Sequence, residues 1–138
     1  MSVQKPIPTI DVWSKPFWDA AKQEKLMVQQ CDNCRHHFFP PGPICPNCQS
    51  KSLSWVEVSG RATVESWVVF HQLYFKGFEP ELPYNATMVQ LGEGPLLMTN
   101  VLGIDNADLH RGMEVEVTFD PLTDGITVPR FRPAGKGA

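Results

Sequence analysis

All four cysteines of the chain lie in two Cys-x-x-Cys pairs, Cys31 with Cys34 and Cys45 with Cys48, and ten residues separate the pairs. A turn of this kind brings two sulfurs within about 4 Å of each other, so each pair can occupy one edge of a tetrahedron. Two such edges complete a closed site of four thiolates, in which no position is open for catalysis. We therefore predict that the cysteines hold one structural Zn²⁺ ion, whose binding helps the surrounding segment to fold.

Two other uses of the cysteines stay open at this point. The pairs could form two disulfides or a redox-active site, and iron could replace zinc in a rubredoxin-like site. In rubredoxin-like sites each Cys-x-x-Cys turn, called a knuckle, is usually followed by glycine. Here Arg35 and Gln49 follow the two knuckles. His36 and His37 follow the first pair. Because four thiolates are available, we expect both histidines to face solvent or pack on the ribbon.

The composition is that of a small globular protein of 138 residues, 42% of them hydrophobic and 20% charged. The sequence has no apolar run near the roughly 20 residues that span a bilayer. Residues 1–6 lack the apolar region of a signal peptide. We therefore expect a cytoplasmic protein without a membrane partner, in a compartment where thiols stay reduced.

Charge is distributed unevenly along the chain. Residues 53–133 carry five basic and eleven acidic side chains, a formal charge of −6, whereas residues 1–52 carry six basic and four acidic ones. An acidic surface repels a phosphate backbone. In addition, Trp67 and Phe70 would point to opposite faces of their strand, unlike the stacking aromatics of single-strand binders. We therefore expect no nucleic-acid partner.

The pattern of apolar residues predicts four parts: an N-terminal leader and helix, a cysteine-containing ribbon, a β-domain and a tail, over residues 1–25, 26–52, 53–133 and 134–138. The helix is expected over residues 14–25, with Ser14 as its N-cap and Pro16 in its first turn. A short strand should then lead into the first cysteine pair.

Residues 53–133 alternate between apolar and polar side chains with a period of two, which is the period of a β-strand. Turn signals at residues 59–60 and 92–95 separate the alternating runs. The predicted strands cover residues 55–58, 62–71, 86–91, 96–103, 113–119 and 126–131. Several short strands in about 80 residues favour a small closed barrel of the OB-fold type, with a β-sandwich as the alternative. The predicted fold class is mainly β.

Several stretches, taken in order, resemble the family called domain of unknown function 35 (DUF35). The resemblance covers about residues 14–133 and is carried by LMVQQC at 26–31, FFPP at 38–41, CPNC at 45–48, WVEVSGRATV at 55–64, PELPY at 80–84, GPLLMTNVLG at 94–103 and PRFRP at 129–133. It implies an N-terminal helical segment, a rubredoxin-like zinc ribbon and a C-terminal OB-fold.

The resemblance also implies a role. Members tend to be small partners of thiolase-superfamily enzymes, including thiolases and related aldolases, and others accompany MaoC-like enoyl-CoA hydratases. The partner carries the catalytic residues, while the DUF35 subunit helps to form the acyl-CoA site. Many relatives have arginine after the Pro-Pro pair, where this chain has Gly42.

Four residues are candidates for contacts with coenzyme A or with a partner protein. Arg130 and Arg132 alternate along a strand and should project to one face, where two guanidinium groups could bind phosphates. The alternative is that they pair with Glu114 or Glu116 on a neighbouring strand. Phe75 and Lys76 lie in an aromatic segment that also contains Phe78. That segment could instead pack on the barrel.

The residues give little support for catalysis by this chain. If all cysteines bind zinc, no thiol nucleophile is left. His71 and His110 are the only histidines beyond the ribbon, and neither has the setting of a catalytic triad. The sequence thus predicts a non-catalytic zinc-binding subunit of a thiolase-type acyl-CoA complex. The alternatives are a stand-alone acyl-CoA-binding protein, an accessory of a MaoC-like hydratase, and a nucleic-acid-binding OB-fold.

Overall fold

The computed structural model describes residues 8–123 and 125–134. The described chain is mainly β, as predicted, with one short helix and eight strands. The elements are α1 (Lys15–Lys22), β1 (Met27–Cys31), β2 (His37–Phe38), β3 (Leu53–Glu57), β4 (Arg61–Phe70), β5 (Tyr84–Leu91), β6 (Leu96–Thr99), β7 (Glu114–Thr123) and β8 (Ile126–Pro133). Two 3₁₀ turns cover Lys76–Glu81 and Asn106–Asp108. The predicted leader and tail lie largely outside the described residues.

Helix α1 is shorter than the predicted residues 14–25. Ser14 makes no side-chain cap; instead, the Asp11 carboxylate accepts hydrogen bonds from the backbone N–H groups of Trp13 and Ser14, at 3.0 and 2.8 Å. At the other end, Glu24 takes a left-handed conformation with φ 60° and closes a Schellman-type turn. Within the described residues, no helix is long and apolar enough to cross a bilayer.

The ribbon is built on a three-stranded antiparallel sheet with the order β2-β1-β3. Strand β3 pairs with β1 along its whole length, from Met27 opposite Glu57 to Cys31 opposite Leu53. The predicted β-domain begins at residue 53, the first residue of β3, and the backbone of β3 is hydrogen-bonded to the ribbon strand β1. The chain therefore runs directly from the ribbon strand β3 into the barrel strand β4.

The barrel has five strands in the order β6-β5-β4-β7-β8, with antiparallel neighbours. Its two ends meet where Val101 forms a parallel bridge with Phe131. The Phe131 N–H donates to the Asn100 carbonyl at 3.0 Å, and the Leu102 N–H donates to the Phe131 carbonyl at 2.8 Å. One sheet that nearly closes on itself confirms the OB-like barrel over the sandwich.

Strand β6 ends at Thr99 instead of continuing to residue 103, because the chain leaves β5 there to reach β8. A further irregularity lies in β4, where the register with β5 shifts between Val64 and Ser66. Such a bulge increases local twist and helps a sheet to close.

The ribbon and the barrel share one hydrophobic core. Phe17 of α1 and Leu26 and Val28 of the ribbon belong to the same buried cluster as the barrel interior, which includes Val64, Val89, Leu91, Leu97, Val101, Val115 and Phe131. A second, smaller cluster surrounds the cysteines and contains Phe38. The metal-binding end is thus packed on the barrel through β1 and α1.

Gly60 makes the connection from β3 to β4. Its φ of +83° belongs to the left-handed region that glycine adopts without strain. A Cβ at this position would lie only 2.5 Å from Cγ1 of Val117 on β7. The close approach brings the Gly60 carbonyl within 2.8 Å of the Val117 N–H, which donates to it. The entry into the barrel therefore requires a residue without a side chain.

Candidate metal centre and ligand contacts

The structure brings the four cysteine sulfurs together, with all of them within 4.8 Å of one another. The Sγ atoms of Cys31 and Cys48 are 3.5 Å apart, and those of Cys34 and Cys45 are 3.7 Å apart. A tetrahedral zinc site with Zn–S bonds near 2.3 Å has sulfurs about 3.8 Å apart. The cysteines are free and not joined in disulfides. The donor set therefore fits a closed zinc site in size and in chemistry.

Each knuckle directs backbone N–H groups at its first sulfur. Cys31 Sγ accepts from the N–H groups of Asn33 and Cys34, at 3.3 and 3.4 Å, and Cys45 Sγ accepts from the N–H of Asn47 at 3.4 Å. Such donors stabilise the thiolate, which is the form that binds metal. These contacts arise because the chain turns back after each first cysteine.

The two knuckles are also linked by side chains. Asn47 Nδ2 donates to Cys34 Sγ at 3.5 Å, and Asn33 Nδ2 lies 3.6 Å from Cys48 Sγ. Each knuckle has the sequence Cys-x-Asn-Cys. The asparagine of each knuckle therefore contacts the last cysteine of the other knuckle. These asparagines were not predicted from the sequence, although the repeated Cys-x-Asn-Cys pattern contained the signal.

The hydrogen bonds change the acidity of the thiols. The Asn47 side chain is the main cause that lowers the pKa of the Cys34 thiol to about 6. The backbone N–H of Cys34 is the main cause that lowers the pKa of Cys31. Both shifts favour the thiolate form, which is the ligand form that Zn²⁺ requires.

Arg35 and Gln49, the residues that follow the knuckles, both have φ of 67°. They occupy the left-handed position where related knuckles usually carry glycine. The backbone N–H of each donates to the carbonyl of the first cysteine of its knuckle, at 2.9 Å. The knuckles therefore keep their geometry without glycine, although Arg35 and Gln49 must adopt a left-handed backbone conformation that residues with a side chain rarely take.

His36 and His37 lie beside the first knuckle. The ring of His36 is exposed and stacks on Phe38 with a centroid separation of 6.3 Å. His37 belongs to β2 and pairs with Gln30 of β1. This arrangement is the one expected when four thiolates already complete the site.

The two strand arginines project from the outside of β8, on either side of the fully buried Phe131. Arg130 is only 4% exposed. Its Nη1 atom lies 2.8 Å from Glu81 Oε1, and its Nε atom lies 3.3 Å from Asp120 Oδ2. Glu81 ends the 3₁₀ turn at Lys76–Glu81, so Arg130 fastens that turn to β8. Its guanidinium is held by carboxylates of this chain.

Arg132 is more accessible, with 58% of its side chain exposed. Its Nε atom lies 3.2 Å from Oε1 of Glu116, the residue opposite it in the β7–β8 register. The pairing with Glu116 that the sequence offered as an alternative is therefore present. Phe75 is 54% exposed, and Lys76 beside it is also exposed, whereas the ring of Phe78 packs 5.3 Å from that of Tyr84.

Comparison with known families matches the two parts of the chain separately. The ChsH2 rubredoxin-like zinc ribbon domain matches residues 18–54, and the ChsH2 C-terminal OB-fold domain matches residues 55–120. A DUF35 domain-containing scaffold protein of Pyrococcus furiosus is 32% identical over 124 residues, which cover 85% of this chain and 90% of the relative. This chain belongs to the DUF35 family.

Two other relatives carry names that refer to an enzyme. A protein of Thermomonospora curvata named "Probable enoyl-CoA hydratase alpha subunit" is 37% identical over 94% of this chain, which spans only 40% of that relative. A solved structure titled "Ltp2-ChsH2(DUF35) aldolase" contains a chain that matches with a TM-score of 0.86 and 36% identity. The match covers 94% of this DUF35 chain and 100% of that one.

Proposed function

We propose that this DUF35 protein is a non-catalytic, zinc-binding subunit of an acyl-CoA enzyme complex of the thiolase or aldolase type. The observation that carries the proposal is the match over nearly the whole chain to a chain of the solved structure titled "Ltp2-ChsH2(DUF35) aldolase". The hydratase alpha subunit of Thermomonospora curvata supports a related complex in which the partner is a hydratase. The scaffold name of the Pyrococcus relative supports a structural role.

The side chains of the described residues support the non-catalytic assignment. All four cysteines are gathered in the metal centre, so no thiol nucleophile is available elsewhere. His71 and His110 are exposed, and His110 Nδ1 lies 3.1 Å from the backbone carbonyl of Asp108. A closed Cys₄ site offers no position for a substrate or a water. In this proposal the catalytic partner supplies the reacting groups.

The subunit would stabilise its partner and complete the surface that binds the acyl-CoA thioester. Of the four contact residues predicted from the sequence, Arg132, Lys76 and Phe75 are accessible for such a role, whereas Arg130 is buried in its ion pairs. We expect the complex to work in the cytoplasm, where zinc thiolates are protected from oxidation.

The test is co-expression of the tagged chain with a thiolase-like, an aldolase and a MaoC-like catalytic subunit from the same genome, each in a separate experiment. We expect one of them to co-purify as a stable complex with acyl-CoA turnover, while the isolated chain shows none. Turnover by the isolated, zinc-loaded chain would refute the non-catalytic role. The absence of a complex with all three subunits would refute the partner assignment.

Two binding measurements on the isolated chain separate the alternatives. Micromolar binding of acyl-CoA without any partner would favour a stand-alone acyl-CoA-binding protein. Binding of a single-stranded oligonucleotide that weakens steeply between about 50 and 200 mM salt would favour a nucleic-acid-binding module. The acidic barrel region leads us to expect neither result.

A further inference from the structure

Residues 71–83 connect the ends of two paired strands. Phe70, the last residue of β4, lies opposite Tyr84, the first residue of β5, in the antiparallel register. The two ends of the connecting segment are therefore close together, as they are in an Ω-loop. Because the β4–β5 ladder is complete without this segment, the segment can leave the barrel surface while every ladder hydrogen bond stays in place. We call residues 71–83 the strap.

The strap buries little of its own surface. In this fully described segment no side chain is buried, and Tyr74 and Phe75 are 61 and 54% exposed. Its backbone hydrogen bonds include those from the Phe78 N–H to the Phe75 carbonyl, at 3.0 Å, and from the Leu82 N–H to the Glu79 carbonyl, at 3.2 Å. A segment with few buried apolar contacts and exposed backbone hydrogen bonds has a low free energy of local opening.

Aromatic rings connect the strap to its own strand pair. The Tyr74 ring meets the Phe70 ring edge-on, with centroids 6.0 Å apart, and the Phe78 ring packs 5.3 Å from the Tyr84 ring. Phe70 and Tyr84 stack on each other at 5.2 Å. Both of these partners are the strand ends from which the strap emerges. The ring contacts therefore connect the strap to β4 and β5 and not to a distant strand.

The ion pair between Glu81 and Arg130 does reach a distant strand. Arg130 belongs to β8, which is adjacent to neither β4 nor β5 in the sheet order β6-β5-β4-β7-β8. The Nη1 and Nη2 atoms of Arg130 lie 2.8 and 3.5 Å from the two carboxylate oxygens of Glu81. Glu81 is carried by the strap, whereas Arg130 is held in the barrel sheet. The pair therefore joins the strap to the far side of the barrel.

Closure of the strap buries the Arg130 guanidinium. Arg130 and Arg132 project from the same side of β8, yet their side chains are 5 and 58% exposed. Among the described residues, Arg130 Nε has no hydrogen-bond partner, although Asp120 Oδ2 lies 3.3 Å from it. A buried guanidinium is favourable only while its carboxylate partner is in place. Loss of the Glu81 carboxylate should therefore favour the open strap, in which water hydrates Arg130.

We propose that the strap opens as a unit separate from the barrel, and that the Glu81–Arg130 ion pair holds it closed. The inference goes beyond the proposed function and does not depend on a partner. The closed strap keeps Phe75 and Lys76, two of the contact residues predicted from the sequence, at one place on the barrel surface. Arg130 is thus a positioning residue for Phe75 and Lys76, to which it is connected through Glu81.

The experiment is limited proteolysis of the isolated, zinc-loaded chain with trypsin, which compares wild type with Glu81→Gln. This change keeps the size of the side chain and removes its charge. Cleavage after Lys76 should become at least about tenfold faster, since it follows the population of the open strap. Cleavage after Lys51, in the ribbon, is the internal reference and should change less than about twofold. Glu116→Gln is the matched control, because it removes the carboxylate that pairs with Arg132 on the same strand. It should leave cleavage after Lys76 within about twofold of wild type.

Amide hydrogen exchange of the wild-type chain is a second test that needs no variant. The N–H groups of Phe78 and Leu82 should exchange at least about 100-fold faster than the ladder N–H groups of β4 and β5. Their exchange should depend little on urea concentration, because opening of the strap exposes little surface. Exchange at the rate of the ladder would show that the strap opens only when the barrel unfolds, and the proposal would be wrong.

The proteolysis can contradict the proposal in two further ways. If Glu81→Gln accelerates cleavage after Lys76 and Lys51 equally, the ion pair stabilises the whole chain and does not act on the strap. If cleavage after Lys76 is unchanged, the ion pair does not hold the strap closed.

Discussion

The side-chain amide of Asn85 makes both of the hydrogen bonds that a neighbouring strand would make to Val101. Asn85 Nδ2 donates to the Val101 carbonyl at 2.8 Å, and the Val101 N–H donates to Asn85 Oδ1 at 2.7 Å. Val101 is the residue that bridges to Phe131 and closes the barrel. A buried asparagine therefore continues the sheet where the β5–β6 ladder stops.

Asn85→Ala should destabilise the protein by about 2–4 kcal/mol, because it leaves both backbone groups of Val101 without these partners in a buried position. Urea unfolding measures the change. Gln90→Ala is the control, because Gln90 is exposed. Its side-chain amide donates a long hydrogen bond of 3.3 Å to the Gly94 carbonyl, and that bond is exposed to solvent. A loss below about 0.5 kcal/mol for Asn85→Ala would show that the amide does not close the barrel.

The asparagines of the knuckles should affect the metal more than the fold. Asn33→Ala and Asn47→Ala each remove a donor to a sulfur, and loss of such outer contacts weakens metal binding about 10–100-fold. Competition with a chromogenic chelator measures zinc affinity, and elemental analysis should find about one zinc per chain. Gln30→Ala is the control, because its amide donates to the Arg35 carbonyl and not to a sulfur. Equal affinities for all three variants, or iron in the purified protein, would contradict the assignment.

Gly60→Ala should destabilise the chain by about 2–4 kcal/mol, since the new methyl group meets Val117 and the backbone is left-handed. Adding Val117→Ala should recover part of the loss, because it removes the Cγ1 atom that the methyl group meets. Gly42→Ala is the matched control. A Cβ at Gly42 meets nothing within 4 Å. Similar free energies of unfolding for the two glycine variants would show that the close approach to Val117 does not restrict the residue at position 60.

Arg130 and Arg132 should respond differently to removal. Arg130→Ala leaves Glu81 and Asp120 without a buried cation and should lower stability by about 3 kcal/mol. Arg132→Ala breaks an exposed pair and should change stability by less than about 1 kcal/mol. Thermal unfolding of the isolated chain makes the comparison.

Arg132→Ala also tests the predicted contact with coenzyme A in the complex. A lost phosphate contact should raise the KM for acyl-CoA about 10–100-fold. Lys51→Ala, in the ribbon and exposed, provides a control for the loss of one positive charge. An unchanged KM would show that Arg132 makes no contact with acyl-CoA and only pairs with Glu116.

The sequence was sufficient for features that depend on neighbours along the chain. The spacing of the cysteines predicted the metal centre, and the alternation of Val115 and Val117 with glutamates predicted β7. The end of α1 was missed because Glu24 adopts a conformation that usually signals glycine. Arg35 and Gln49 also adopt this left-handed conformation without being glycine.

Other features depend on residues far apart in the sequence. Arg130 is buried because Glu81, 49 residues earlier, folds back over it. The outward side of β6 could not be predicted because Leu96, Leu97 and Met98 are all apolar. Alternation cannot identify the outward side when both sides are hydrophobic. Only the closed sheet shows that Leu97 points inward while its neighbours remain exposed.

The shared core has a consequence for the chain before it binds metal. Leu26 and Val28 of the ribbon pack in the same core as Val89 and Phe131 of the barrel, so we expect metal loading and barrel stability to form one cooperative unit. A newly made chain without zinc would lack the binding free energy that holds this unit together and would be open to proteolysis. In the proposed complex, zinc supply would then set the number of assembly-competent subunits, and a shortage of the ion would limit the complex without any change in the catalytic partner.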